Sequence, residues 1–316
     1  MDTNKLYKYI NLLLRIGVGC FALYFIASRL KDDLFTNFNK IDFSFISYNY
    51  LILALLLLFI NWGIEAVKWK YAIQSICKLT FFNAFKIVLT GITLGFLTPN
   101  RIGEIPGRTL LLNNNNFKET TLKTAVASFS QLLITFLFGT IGLIYSSSYF
   151  KSIPHFELAI IVAVCILTFL FLIYFKMKTL KTFFYNIHYF KENETLKGLF
   201  EFKTIELVML LNYSFLRYLV FTLQYYMVLI AFGIPITSGT AFFLIPVCFM
   251  VASFLPTILI SEIGVRGSVA LFVFGMISDL DVQIILASIV LWCINVAFPA
   301  LLGLFNLKEL KLFKVQ

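Results

Sequence analysis

Two short stretches hold the residues whose types and spacing could do chemistry: Thr98-Pro99-Asn100-Arg101-Ile102-Gly103-Glu104-Ile105-Pro106-Gly107-Arg108 and Ser261-Glu262-Ile263-Gly264-Val265-Arg266-Gly267. Each contains E-I-x-x-R, which on a helix sets a carboxylate one turn from a guanidinium, the spacing at which an ion pair closes. Arg101 adds a third guanidinium. Arg101, Arg108 and Arg266 against Glu104 and Glu262 leave one net positive charge, and arginine grips a phosphate through two parallel N–H donors where lysine offers a point charge. The chemistry these residues suit is capture of an anion such as a lipid phosphate. Pro99, Gly103, Pro106 and Gly107 in the first stretch, and Pro256, Gly264 and Gly267 in the second, interrupt regular helix and read as turn or hairpin positions.

The elements that must position these residues are membrane helices. The 316 residues are 60% hydrophobic and only 13% charged, well above the apolar share of soluble domains. Apolar runs recur over the whole length, so residues 1–316 read as a single integral membrane domain without a soluble enzyme module. The net charge of +10 fits cytoplasmic loops and anionic lipid contact; with this composition it excludes nucleic acid as a partner. The five cysteines are far apart, with no C-x-x-C, and read as apolar packing residues; no metal or cofactor is expected.

Apolar runs predict complete spans at residues 10–28, 47–66, 121–145, 156–175, 207–232 and 283–306. Lysines 5 and 8 precede the first as in a signal peptide, but the run is as long as a bilayer span and reads as a retained helix. A cluster of Lys68, Trp69, Lys70, Tyr71 and Lys78 reads as a cytoplasmic interface, and the loop 176–206, with six lysines, and the basic tail also read as cytoplasmic. If all three lie inside, residues 83–112 must enter and leave from the cytoplasmic side, and residues 238–279 from the outer side. The result is an all-α polytopic protein with six full spans, two opposed re-entrant hairpins and both termini inside. On this topology 16 of the 26 Lys+Arg are inside and four are in outer loops, as the positive-inside rule requires.

The hairpins resemble each other: Phe96-Leu97, Pro99 and Glu104-Ile-x-x-Arg108 against Phe254-Leu255, Pro256 and Glu262-Ile-x-x-Arg266. Entry from opposite faces is what an inverted repeat predicts, and paired broken helices point to a transport site. A charge at mid-bilayer costs about 2.5–3.5 kcal/mol on the insertion scale, so the five charges must pair or face water. Two readings stand: a ligand site, or pairs that only brace the hairpins. Arg217 is either a further site residue or a side chain bonded to carbonyls or snorkelling to the interface. Gln131 either lines a path or bonds between helices, and Asn295 reads in the same way. His155 and His188 lie in loops without ligand partners nearby in sequence.

The first stretch resembles the P-x-R-x-G-E-x-x-R motif of the membrane region of lysylphosphatidylglycerol synthases and their free-standing, flippase-like relatives; Glu262 to Gly267 resembles the family's second motif. The resemblance maps Pro99, Arg101, Gly103, Glu104 and Arg108 onto the first motif and Gly264 and Arg266 onto the second. Gly267 stands where relatives often carry an acidic residue. The family's soluble aminoacyl-transfer domain is not in this sequence, so lysyl transfer is not expected. The resemblance implies movement of a lipid or lipid-linked substrate between leaflets of the cytoplasmic membrane. The expected partner is an anionic phospholipid or lipid-linked phosphate, held by Arg101, Arg108 and Arg266 with Glu104 and Glu262 orienting them. An intramembrane lipid-modifying transferase and a non-catalytic partner of a lipid- or glycan-synthesis enzyme are the alternatives. The sequence does not give an oligomeric state.

Overall fold

The computed structural model describes residues 46–306 except 97, 113–115, 152, 177–201 and 258, together with Gly17, Cys20, Tyr24 and Ser28. Most of the expected first span, the six-lysine loop and the basic tail, with His188, therefore lie outside the described residues. Ten α-helices make up the rest: α1 (Tyr48–Ala72), α2 (Phe81–Phe96), α3 (Glu104–Leu110), α4 (Phe117–Tyr145), α5 (Phe156–Phe175), α6 (Thr204–Ala231), α7 (Ser238–Phe254), α8 (Leu259–Phe274), α9 (Asp281–Trp292) and α10 (Phe298–Asn306). A π-turn, Cys293–Ala297, joins α9 to α10 without a break, and no strand occurs among the described residues.

Among the described residues, five helices are long and apolar enough to cross a membrane: α1, α4, α5, α6 and the continuous Asp281–Asn306. The expected boundaries move outward at several ends. The largest change is in α1, which runs through the Lys68–Tyr71 cluster to Ala72. Lys68 and Trp69 are fully buried within it. Lys68 is thus no interface lysine, and the cytoplasmic charge count loses it; composition placed it by type, whereas a carboxylate one turn away holds it inside. The most apolar span, α5, has only Ala163 and Tyr174 buried; Leu158, Ile161, Phe169 and Leu172 are exposed on its outer side, as on a lipid-facing helix.

α2 and α7 are shorter, at 16 and 17 residues, or about 24–26 Å of helix. α3 folds back along α2: a Cβ on Gly95 would meet Glu104, one on Gly91 would meet Arg108, and Gly107 lies against Leu94. The absence of a side chain at Gly91 and Gly95 is what lets the two motif charges lie against α2. Pro106 and Gly107 are inside α3, and Gly264 and Gly267 are inside α8, so these four are not turn residues. Pro106 is tolerated because its missing N–H falls in the first helical turn, where no intrahelical acceptor exists. The second hairpin ends with α8 at Phe274, short of residue 279.

The packing has an exchange pattern. α1 packs along α6, α4 along α7, and α10 along α2. Glycines seat the last two contacts at matching places. Gly142 of α4 lies against the Phe243 carbonyl of α7, and Gly303 of α10 lies against the Leu89 carbonyl and Thr93 of α2. Thr93 Oγ1 also donates to the Ala300 carbonyl oxygen at 2.7 Å.

Candidate functional site

The tip of the first hairpin is a tight turn built by Thr98 and Asn100. Thr98 Oγ1 accepts from the Gly103 N–H at 2.8 Å and donates to the Gly95 carbonyl at 2.9 Å. Asn100 and Arg101 both take left-handed backbone angles, with φ of 49° and 55°, a conformation costing a non-glycine residue about 1–2 kcal/mol. Contacts to the other hairpin offset that cost. The Asn100 N–H donates to the Thr257 carbonyl at 3.0 Å, and the Thr257 N–H donates to Asn100 Oδ1 at 2.6 Å. The two tips meet.

Arg101, carried across by this turn, reaches Glu262 of α8, Nη2 to Oε1, at 2.7 Å. Arg266 shares that oxygen at 2.9 Å through the i,i+4 geometry expected of the motif. Glu262 therefore holds one arginine from each hairpin. Arg108 takes a different place. Its i,i+4 partner Glu104 is bound, and its Nη1 reaches Glu65 of α1 at 2.8 Å.

Glu65 lies at the centre of a second cluster. Its side chain is 3% exposed and takes Arg108, Lys68 at 2.8 Å and Arg217 at 3.2 Å. Lys68 Nζ is also 3.5 Å from Ser214 Oγ, which bonds Ser130 Oγ at 2.8 Å. Arg217 completes its contacts by donating Nε–H to Asn61 Oδ1 at 2.9 Å and lying over the Trp62 ring at 4.7 Å. Asn61 in turn donates to Asn295 Oδ1 at 2.8 Å. Asn295 sits on the π-turn, and the wider backbone there is a common device for redirecting a functional side chain.

Between the two clusters lies a cavity of about 230 Å³, far larger than the ~10–15 Å³ that holds a single water on the same measure. Its walls come from α1, α4, α6, α7, α8, α9, the π-turn and the first hairpin tip. Three guanidiniums line it: Arg101, Arg217 and Arg266. No carboxylate or lysine is among the lining residues; the rest include amides and hydroxyls (Asn61, Gln131, Ser253, Ser288), rings (Trp62, Tyr218, Trp292) and apolar side chains (Ala252, Leu291, Val296). Glu65 and Glu262 stand behind the arginines, engaged with them.

Of the five motif charges, then, Arg101 and Arg266 face the cavity with Glu262 behind them. Arg108 and Glu104 belong to the Glu65 cluster and do not line it. Arg217, held by Glu65, lines the cavity from that cluster, and Gln131 lines the cavity while donating to the Ser214 carbonyl at 3.4 Å. The motifs missed Glu65 and Lys68. Their signal was present: an acid within an apolar run long enough to span a bilayer needs a partner, and a lysine follows it by three residues.

The model of the lysylphosphatidylglycerol synthase TM region matches residues 12–303. The chain belongs to that family. The match takes in nearly all of the expected first span and both hairpins, and reaches into α10. Among curated proteins, none matches the chain. Family membership and the five span-length helices together make this a multi-helix membrane protein with a lipid-related role.

Proposed function

We propose that the protein moves a lipid with an anionic head group between the leaflets of the cytoplasmic membrane, binding the head group in the cavity where the hairpin tips meet. One observation carries this reading: three guanidiniums line a cavity among the span-length helices, with no carboxylate among its lining residues. Three cations held apart by carboxylates behind them are arranged for a ligand that supplies the negative charge.

The topology that goes with it has six spans, residues 10–28 and the five helices above, with both termini cytoplasmic. α2–α3 and α7–α8 enter as hairpins from opposite faces. At about 24–26 Å, α2 and α7 fall short of a ~30 Å hydrocarbon core, and their non-helical tips hydrogen-bond to each other through Asn100 and Thr257, which satisfies part of the backbone that such depth leaves without water. The exchange of partners, α1 with α6 and α4–α7 for α10–α2, is the pattern a two-fold relation between halves produces. A hinge between tips tied by Asn100 and Thr257 would then open the cavity to either side. Transport is preferred here to group transfer because the two carboxylates nearest the cavity, Glu65 and Glu262, are each engaged by two or three cations at 2.7–3.2 Å.

The test is a liposome assay with leaflet-labelled anionic lipid. Arg101→Ala and Arg266→Ala each abolish movement if the reading holds. Movement unchanged in both variants, or a new lipid species formed without movement, refutes it.

A further inference from the structure

The buried charge cluster beside the cavity holds one cation more than its carboxylates balance, and, on the reading that the cavity binds an anionic head group, that excess couples transport to protons. We infer that the protein carries one proton with each anion, and that Lys68 is where the proton sits.

The coupling turns on one carboxylate oxygen. Lys68 Nζ lies 2.8 Å from Glu65 Oε2 and Arg217 Nη1 lies 3.2 Å from the same atom, while Arg108 occupies Oε1 at 2.8 Å. Arg217 also lines the cavity. An anion arriving there draws on the charge of Arg217 and leaves Oε2 to Lys68, which favours the ammonium form. Loss of the Lys68 proton does the reverse: Oε2 is left to Arg217, and the hold of Arg217 on the anion weakens. Proton and anion therefore strengthen each other's binding by the same factor, and anion affinity is highest at low pH and falls as pH rises.

Of the three cations on Glu65, Lys68 is the one able to take this part. Arginine keeps its proton in proteins, whereas a lysine amine inside a fold titrates. Arg108, Arg217 and Lys68 exceed Glu65 and Glu104 by one charge, so release of the Lys68 proton leaves two cations on two carboxylates. The other ionisable groups on the surrounding elements are occupied or turned away: Lys123 of α4 is engaged with Glu119 and Ser75, and Lys86 of α2 and Cys293 of the π-turn are exposed. Lys68 is buried, but Ser214 Oγ stands 3.5 Å from its Nζ and Ser130 Oγ lies 2.8 Å further on. Hydroxyls both donate and accept, as a proton relay requires. In the cycle the Lys68 amine takes a proton from water on the loading side and returns it to water on the side of release. One positive and one negative charge cross together, so the driving force is the pH difference and not the membrane potential.

The test uses the full-length protein in phosphatidylcholine vesicles with a trace of fluorescent phosphatidylmethanol, whose phosphodiester keeps a single negative charge between pH 6 and 9, as on the order of all such diesters. Outer-leaflet quenching reads its distribution. With the potential clamped at zero, a pH difference of about one unit, a factor of ten in proton concentration, is expected to hold the probe about tenfold in excess in the leaflet on the alkaline side. A potential imposed without a pH difference is expected to leave the leaflets equal. Lys68→Met keeps two cations on two carboxylates, so it is expected to fold, and its probe distribution should ignore the pH difference. Movement of the probe in the native protein that ignores the pH difference, or that follows the potential alone, overturns the coupling and leaves the anion-transport reading standing; a pH response retained in Lys68→Met overturns the assignment to Lys68. If Lys68→Met does not fold, the response of the native protein to the two gradients decides the coupling by itself. No movement of the probe under any gradient overturns both readings.

Discussion

Glu65→Gln is the sharpest test of how the site is held. In the native cluster Arg108, Lys68 and Arg217 face Glu65 and Glu104, so three cations meet two carboxylates and one net positive charge is left. The substitution keeps the shape of the side chain but removes the carboxylate shared by three cations, each within 3.2 Å. Lys68 then has no anionic contact, Arg217 keeps Asn61, and Arg108 keeps Glu104. Leaving a buried charge uncompensated costs about 3–5 kcal/mol. For a chain of this size that corresponds to a fall in melting temperature on the order of 10 °C, measured by heating the detergent-solubilised protein and following loss of the monodisperse species. Glu65→Gln combined with Lys68→Met removes one charge of each sign, restores the balance, and should recover more than half of the loss. A Glu65→Gln variant within about 1 °C of the native protein would mean that Glu65 is not the hub of the cluster. A double variant less stable than Glu65→Gln alone would refute the charge-balance argument.

Arg101→Gln and Glu262→Gln, singly and together, should show a coupling of about 1–3 kcal/mol in the same unfolding measurement; additive losses would mean the tips are not tied by this pair. Gly303→Ala places a Cβ against the Leu89 carbonyl and Thr93 and breaks the Thr93–Ala300 bond, so it should cost about 1–3 kcal/mol. Gly239→Ala, with nothing within 4 Å, should change stability by less than about 0.5 kcal/mol. Cysteines at Asn114 and Asp279 should label from opposite faces of the membrane, Asn114 from the cytoplasm; labelling from one face would sink the double-hairpin topology.

The sequence by itself determined the class of protein and the positions of its charged motifs. Apolar run length is a local property, so the spans from α4 onward lie within a few residues of where composition puts them. The i,i+4 pairs Glu104–Arg108 and Glu262–Arg266 formed because helix geometry alone brings those atoms together. Only the tertiary structure decided which charges share a cluster. Arg101 meets Glu262 across 161 residues and Arg108 meets Glu65 across 43, and no periodicity encodes contacts at such separations. Lys68 was misplaced for the same reason: a lysine near the end of a span reads as an interface residue until a buried carboxylate and a serine from α6 are seen beside it. The division of the arginines followed from packing as well. Gly91 and Gly95 draw Arg108 and Glu104 onto α2 and away from the cavity, while the left-handed turn at Asn100 and Arg101 sends Arg101 into it.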